Sequence, residues 1–157
     1  MELVEFLRAR LDEDSTAAEA AAAERGPVWW YEGHFADLSG QVLAGEVLDG
    51  GSAVVRALTM TTRSDAEGEH IARHDPARVL AEVESKRQLV TGYALSVQAV
   101  EELTARREQL KAKGYDLLMT DMDLGSAVVR RDTLTGVVRL LALPYASHPD
   151  YDEAWRP

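Results

Sequence analysis

The chain has 157 residues, of which 46% are hydrophobic and 28% are charged, a composition typical of a folded globular protein. It has no cysteine, which excludes disulfide bonds, thiolate metal sites and thiol catalysis. The formal net charge of −10 argues against direct binding to nucleic acid, because basic side chains supply most of the affinity for phosphate backbones.

The negative charge has two interpretations. It keeps the protein soluble, or it marks a nucleic-acid mimic that occupies the basic groove of a DNA-binding protein. The densest acidic cluster, Asp12–Glu13–Asp14, lies among mixed charges, which favours solubility. The first residues are acidic where a signal peptide requires basic ones, and no apolar run reaches the roughly 18–20 residues of a membrane span. We therefore expect a cytoplasmic protein with no membrane and no direct nucleic-acid partner.

Residues 2–25 are predicted to form the first helix. The alanine-rich run at 17–23 has high intrinsic helix propensity, and Gly26–Pro27 ends the helix. Four large apolar side chains share one face and are predicted to be buried: Leu3, Phe6, Leu7 and Leu11. The alanine-rich part allows the close approach of a neighbouring helix, from this chain or from a second copy.

The next region has the pattern of a small sheet. Three β-rich runs are predicted as strands: Val28–Ala36, Gln41–Leu48 and Ser52–Met60. The last two are joined by Asp49-Gly50-Gly51, a hairpin signal, because glycine accepts a positive φ. The spacing therefore predicts a three-stranded antiparallel meander, which needs helices on one face to be stable.

A short helix is predicted to follow the sheet. Ser64 and Glu67 have the spacing of a capping box. In this motif the serine side chain accepts from a backbone N–H of the first turn, and the glutamate side chain accepts from the backbone N–H of the serine. This helix is expected to end near Arg73.

A second helix start lies at Asp75-Pro76. Asp75 suits the N-cap, and Pro76 suits the first helical position because its missing N–H is not needed there. Val79 and Val83 begin an apolar stripe and are predicted to be buried. The helical pattern continues to Lys113–Gly114, with a bend or break at Thr91–Gly92 left open.

A last helix is predicted from about Asp123 to Leu143, where Pro144 ends it. The segment that opens at Asp121 resembles the beginning of a calcium loop. It lacks the glycine at the sixth position and one oxygen ligand. A helix start capped by Asp121 or Asp123 is the favoured interpretation.

These elements predict an α+β fold in one domain over residues 1–157. Three to four helices cover the small three-stranded antiparallel sheet, and the first helix and the helix from Asp75 pack on one of its faces. An extended aromatic tail follows the last helix.

The tail, Ala142–Pro157, carries Tyr145, Tyr151 and Trp155 without a helical or strand period. Terminal segments normally carry small polar residues, so this one has the apolar area to dock. It folds back on its own domain, which the turn-like sequence His-Pro-Asp-Tyr favours, or it binds a partner. We take these three side chains and Trp29 as candidate partner-binding residues.

The best metal-like signal is the pair His70 and His74, which are four residues apart. With His148 they could form a three-nitrogen zinc site that keeps a position open for water. The glutamate of an HExxH motif is absent, and His74 lies at the break before Asp75. No cofactor is the favoured expectation, with zinc as the alternative, and no residues form a recognisable catalytic constellation.

Three sequence blocks resemble a known family: LVEFLRARLDEDSTAA in the first helix, HIARHDPARVLAEVESKR at 70–87, and the tail. The chain resembles the actinobacterial and actinophage family called domain of unknown function 6221. The resemblance implies such a source, often in mobile elements, and brings no activity, cofactor or catalytic residue. It favours small accessory and regulatory proteins over metabolic enzymes.

The sequence therefore predicts a small accessory or regulatory protein that acts through a protein partner or as a homodimer. A metal-dependent enzyme that uses His70 and His74 is one alternative. An acidic mimic that inhibits a DNA-binding protein is another.

Overall fold

The computed structural model of the chain describes residues 2–33, 40–47, 53–62 and 64–157. These described residues form four α-helices and three strands, an α+β architecture as predicted. The elements in chain order are α1 (Leu3–Arg25), β1 (Val28–Glu32), β2 (Gly40–Val47), β3 (Ala53–Thr62), α2 (Asp65–Arg73), α3 (Pro76–Ala112) and α4 (Leu118–Ala142). Two single 3-10 turns follow, at Leu143–Tyr145 and Glu153–Trp155.

The chain divides into two compact units. The first consists of the residues up to Arg10 together with Ser85–Pro157, and the second consists of Leu11–Glu84. Helices α1 and α3 each contribute residues to both units.

The sheet belongs to the second unit. Its strands lie in the order β1-β2-β3 and both pairs are antiparallel, which confirms the predicted meander. Trp29 pairs with Ala44 and Tyr31 pairs with Val42, so these four side chains share one face. The predicted hairpin at Asp49–Gly51 lies outside the described residues.

Helix α2 lies against all three strands. Its Gly68 fits against the ring of Tyr31, where a Cβ atom would overlap the ring. The hydroxyl of Tyr31 donates to Asp65 at 2.5 Å, and this bond raises the pKa of the tyrosine. Helix α2 therefore covers the sheet, which we did not predict; the packing of the first helix and the helix from Asp75 on one face of the sheet stays a prediction.

The start of α3 is as predicted. Oδ1 of Asp75 accepts from the backbone N–H of Arg78 at 2.8 Å, the geometry of an N-cap. Its Oδ2 accepts from the backbone N–H of Trp29 at 3.3 Å, so one carboxylate joins the helix start to β1. The helix runs without a break through Thr91–Gly92 to Ala112.

One predicted capping box and one predicted helix start need correction. Ser64 occupies the N-cap of α2 in an extended conformation, but its side chain makes no cap hydrogen bond, so the capping box does not form. Helix α4 begins at Leu118 rather than Asp123; its N-cap is Leu117, and Asp116 accepts from the backbone N–H of Leu118 at 2.9 Å. Asp121 lies inside the helix and binds Arg107, so neither it nor Asp123 is a cap.

The predicted core is largely present. Phe6, Leu7 and Leu11 are buried and Leu3 is half-buried, while Val83 is buried and Val79 is half-buried. The first unit also buries Val90, Val138 and Ala142, and the second also buries Ala18, Val42, Leu43 and Ala44.

Candidate functional site

The aromatic side chains of the tail surround Phe6 of α1. The ring of Phe6 has no exposed surface. Its centroid lies 4.9 Å from that of Trp155 in a tilted arrangement, and 6.3 and 6.0 Å from those of Tyr145 and Tyr151, edge to face. Trp155 and Tyr151 also meet each other edge to face at 5.7 Å. Such arrangements suit the ring quadrupoles and stabilise the cluster beyond the area that it buries.

Local hydrogen bonds shape the tail so that these rings converge. Asp152 accepts from the backbone N–H of Ala154 at 2.8 Å and so caps the turn that carries Trp155. Arg156 binds the carboxylate of Glu153 at 2.8 Å, and this hydrogen bond lowers the pKa of Glu153. The tail therefore has defined turns, in line with the turn-like sequence from which we expected it to fold back.

A polar contact joins the same tail to α1. The guanidinium of the buried Arg10 donates to Nε2 of His148 and lies 5.5 Å from the centre of the Phe6 ring. The Phe6 and His148 rings also meet edge to face at 5.8 Å. The tail thus docks on its own unit through both apolar and polar contacts.

The candidate partner-binding residues fall in two places. Tyr145, Tyr151 and Trp155 come together around Phe6, and each remains half-buried. Trp29 belongs to the other unit, where it lines a groove of about 230 Å³ with side chains of α1 and α3. Its indole N–H donates to the carbonyl of Gly26 at 3.1 Å. A partner-binding role for these four residues stays a prediction.

The three candidate metal ligands are also divided between the units. His70 and His74 lie at the end of α2 with ring centroids 4.4 Å apart, and Nδ1 of His74 donates to the His70 carbonyl at 2.8 Å. His148 lies in the tail and directs Nε2 to Arg10. Within the described ranges, no group of three or more ligating side chains has the geometry to hold a metal ion. The zinc site stays a prediction.

Helix α4 has two apolar faces. One carries the buried side chains of Thr120, Val138 and Ala142. The other is exposed along its whole length, and we call it the α4 stripe; it consists of Met119, Met122, Ser126, Val129, Thr133, Gly136 and Leu140. Between 57% and 68% of each large apolar side chain in the stripe is accessible to solvent. Tyr115 and Leu118, beside its N-terminal end, are exposed to the same degree.

A groove between α3 and α4 adjoins this stripe. One part, of about 350 Å³, lies between Leu95 on α3 and Ser126 on α4. A second part, of about 370 Å³, includes Leu89 and Thr133. Gly92 and Arg130 line both parts, so the groove continues past them.

The charges on α4 are divided between its ends. The N-terminal half carries Asp121 and Asp123, while Arg130, Arg131 and Arg139 lie in the C-terminal half with Asp132. Asp121 binds Arg107 at 2.6 Å, which raises the pKa of that arginine, and Arg131 binds Asp132 at 2.7 Å. Across the part of the chain that the structure describes, Asp123, Arg130 and Arg139 form no ion pair.

The model of one protein family, described as a family of unknown function (DUF6221), matches residues 1–157. The chain belongs to the DUF6221 family. No curated protein and no solved structure matches this DUF6221 chain. Among its described helices, none has both the length and the apolar character that crossing a bilayer requires.

Our reasoning from the sequence of this DUF6221 protein missed the α4 stripe. We began the last helix at Asp123, which left Met119 and Met122 outside it. The alternating three- and four-residue spacing from Met119 to Leu140 was the signal that could have revealed a second apolar face. The cluster around Phe6 was anticipated on the tail side only, because nothing local connects α1 with residues 145–155.

Proposed function

We propose that this protein is a small accessory or regulatory protein that acts by binding another protein chain through the α4 stripe. The observation that carries this proposal is the exposure of Met119, Met122, Val129 and Leu140 on one helical face. Exposed large apolar side chains that share one face of a helix are typical of surfaces that bind other proteins.

The chemistry of the stripe supports a protein as the ligand. Methionine adapts its shape to different surfaces and is frequent at interfaces that accept helices. Small residues at Ser126 and Gly136 leave space between the larger side chains, so that a second helix could approach closely. A protein with a formal net charge of −10 is a poor ligand for nucleic acid, which agrees with a protein partner.

The family resemblance adds the setting that we propose for this role. An actinobacterial or actinophage source, where small accessory proteins are common, is what the three resembling sequence blocks support. We propose a cytoplasmic location and one domain over residues 1–157 in the same way.

Affinity capture with a paired variant tests the proposal. Met119→Lys with Met122→Lys keeps the helix propensity of α4 but places two charges on its exposed face. The control Ala23→Lys makes a like change at an exposed position on α1. We expect the protein and the control to bind a protein chain, which is either a second copy or another protein, and the paired variant to lose it at an unchanged melting temperature. A binding partner retained by the paired variant would contradict the proposal.

A second candidate function rests on the histidine pair. The close approach of the His70 and His74 rings supports a metal-dependent role. Elemental analysis of the purified protein and of His74→Ala tests it. Metal at one equivalent in the protein and absent from the variant would support this role, and metal-free protein would oppose it.

A further inference from the structure

The α4 stripe has the spacing of a helix that pairs with another helix. Its members from Met119 to Leu140 follow one another at intervals of three, four, three, four, three and four residues. This is the a and d pattern of a heptad repeat, in which the same face returns to the partner every 3.5 residues. The stripe extends over about 32 Å of helix, at roughly 1.5 Å per residue.

Large and small residues alternate along the stripe in a way that fits an antiparallel copy of itself. When the crossing point lies between Ser126 and Val129, Met119 faces Gly136 of the second copy. Met122 then faces Thr133, and Ser126 faces Val129. Facing positions of unequal size interdigitate, so every large side chain in these layers meets a smaller one.

Six layers form in this register, from Met119 opposite Gly136 at one end to Gly136 opposite Met119 at the other. A shift by one heptad in one direction leaves four layers. A shift in the other direction places Leu140 opposite Met122, so that two large side chains face one another.

The charges beside the stripe select the same register. Asp123 and Arg130 flank the same edge of the stripe. A two-fold axis brings this edge of one copy against the same edge of the other, so Asp123 of each copy faces Arg130 of the other. Each lacks an ion-pair partner among the described residues of its own chain. A shift by one heptad instead brings Asp123 opposite Asp123 or Arg130 opposite Arg130, and flanking charges of this kind set partner and orientation.

We propose that a second copy of this chain is the partner of α4. The two helices pair antiparallel along the α4 stripe, and Asp123 of each copy pairs with Arg130 of the other. This inference rests on the proposed use of the stripe as a binding face. The groove between α3 and α4, with the exposed Leu95, adjoins the stripe and adds to the surface that the second copy would contact. Stable interfaces bury about 800 Å² per partner.

Charge exchange tests the register. We expect Asp123→Arg and Arg130→Asp each to raise the dimer dissociation constant about tenfold, measured by sedimentation equilibrium, because each dimer loses two facing pairs and gains two like-charge contacts. The combined variant restores the pairs in reverse and should return to within about threefold of the unchanged protein. The control Glu101→Arg, at an exposed position on α3, should leave the constant unchanged. A combined variant no better than the single ones would overturn the register.

Disulfide trapping tests the relative direction of the two α4 helices. Because the chain has no cysteine of its own, only the introduced cysteines can form a disulfide. In the proposed dimer, residue 119 of one copy lies beside residue 136 of the other, although they are about 25 Å apart along a single helix. Mixing Met119→Cys with Gly136→Cys should therefore give the mixed disulfide on mild oxidation. A parallel pair would give disulfides within each variant alone.

The outcomes also separate this inference from the proposed function. A protein that stays monomeric at about 0.5 mM, near the weak end of specific association, refutes the second copy as partner. If capture then still depends on Met119 and Met122, the stripe serves a different protein and the proposed function stands. If neither self-association nor capture depends on them, both proposals are wrong.

Discussion

Two regions of the described chain, the cluster around Phe6 and the α4 stripe, differ in how far their apolar side chains are covered. Around Phe6, the rings of the tail leave no surface of that side chain in water. Along α4, Met119, Met122 and Val129 each keep 60% or more of their surface exposed. The tail has the more conspicuous composition, yet it docks on its own unit, whereas the less conspicuous α4 stripe stays open.

The difference between these regions follows from the number of faces that each has to bury. The apolar side chains of the tail pack against Phe6. Helix α4 turns Val138 and Ala142 inward and has apolar residues left on its opposite face. An ordinary surface helix carries polar residues there. Composition alone therefore does not show which apolar segment is available to a partner.

Replacing Phe6 by alanine should give the largest difference in stability between a change in the cluster around Phe6 and a change on the α4 stripe. We expect the free energy of unfolding to fall by about 4 kcal/mol, because the change removes a fully buried ring and leaves a cavity between four others. Val129→Ala, on the α4 stripe, should change it by less than about 0.5 kcal/mol at concentrations where the protein is monomeric. Urea denaturation of both variants measures the contrast. Equal losses would show that the stripe is covered.

Trp155→Ala tests the tail side of the same cluster. The half-buried indole contacts Phe6 and Tyr151, and its removal should lower the free energy of unfolding by about 2 kcal/mol. Met119→Ala provides the comparison and should have little effect. A Trp155 variant that unfolds at the same urea concentration as the unchanged protein would mean that the tail does not stabilise its unit in solution.

Asp75→Ala gives a reference value for the loss of stability, because Asp75 lies outside both the cluster around Phe6 and the α4 stripe. The variant loses the N-cap bond to Arg78 and the bond to the Trp29 backbone, so a loss of about 1.5 kcal/mol is expected in thermal or urea denaturation. An asparagine side chain has a single oxygen, so it can keep only one of the two acceptor positions that the carboxylate provides. Asp75→Asn should accordingly lie between the alanine variant and the unchanged protein.

Gly125→Ala should stabilise the protein by roughly 0.5–1 kcal/mol. Glycine is a poor helix former, and a Cβ atom at this position of α4 would meet nothing within 4 Å. A rise in melting temperature of a few degrees is the expected readout. A lower melting temperature would mean that the position is enclosed, and hence that the exposed side of α4 is smaller than the structure shows.

The smallest effect concerns the ion pair at the end of the tail. Because the hydrogen bond from Arg156 lowers the pKa of Glu153, the pair contributes stability above the ordinary pKa of glutamate and loses it as the pH falls through the lowered value. In an NMR titration, Arg156→Gln should raise the pKa of Glu153 toward its ordinary range. An unchanged titration would show that the two side chains do not meet in solution.

Sequence reasoning predicted the elements whose ends are defined by neighbouring residues. Helix α1 ends where Gly26 adopts a φ of 102°, and α3 begins where Asp75 and Pro76 act locally. The predicted start of α4 was wrong because the helix begins five residues earlier, at Leu118, so that Asp121 lies inside it and binds Arg107 on α3. The ion pair between Arg107 and Asp121 depends on the tertiary structure, so the local sequence around Asp121 does not predict it.

The candidate site was predictable to a smaller extent. The aromatic residues of the tail were recognised from composition, and the tail's fold-back from its turn-like sequence. Phe6 as their centre was not, because its partners lie about 140 residues along the chain. The α4 stripe depended on knowing that the helix begins at Leu118. Once that start is known, the heptad spacing can be read directly.

The contact between Arg10 and His148 also orders events during synthesis. These residues are 138 positions apart, and at roughly 5–20 residues per second the ribosome makes His148 about 7–28 s after Arg10. Phe6 emerges early and has no ring to cover it throughout that interval. A nascent chain stalled before Tyr145 therefore lacks the rings that contact Phe6 in the folded protein.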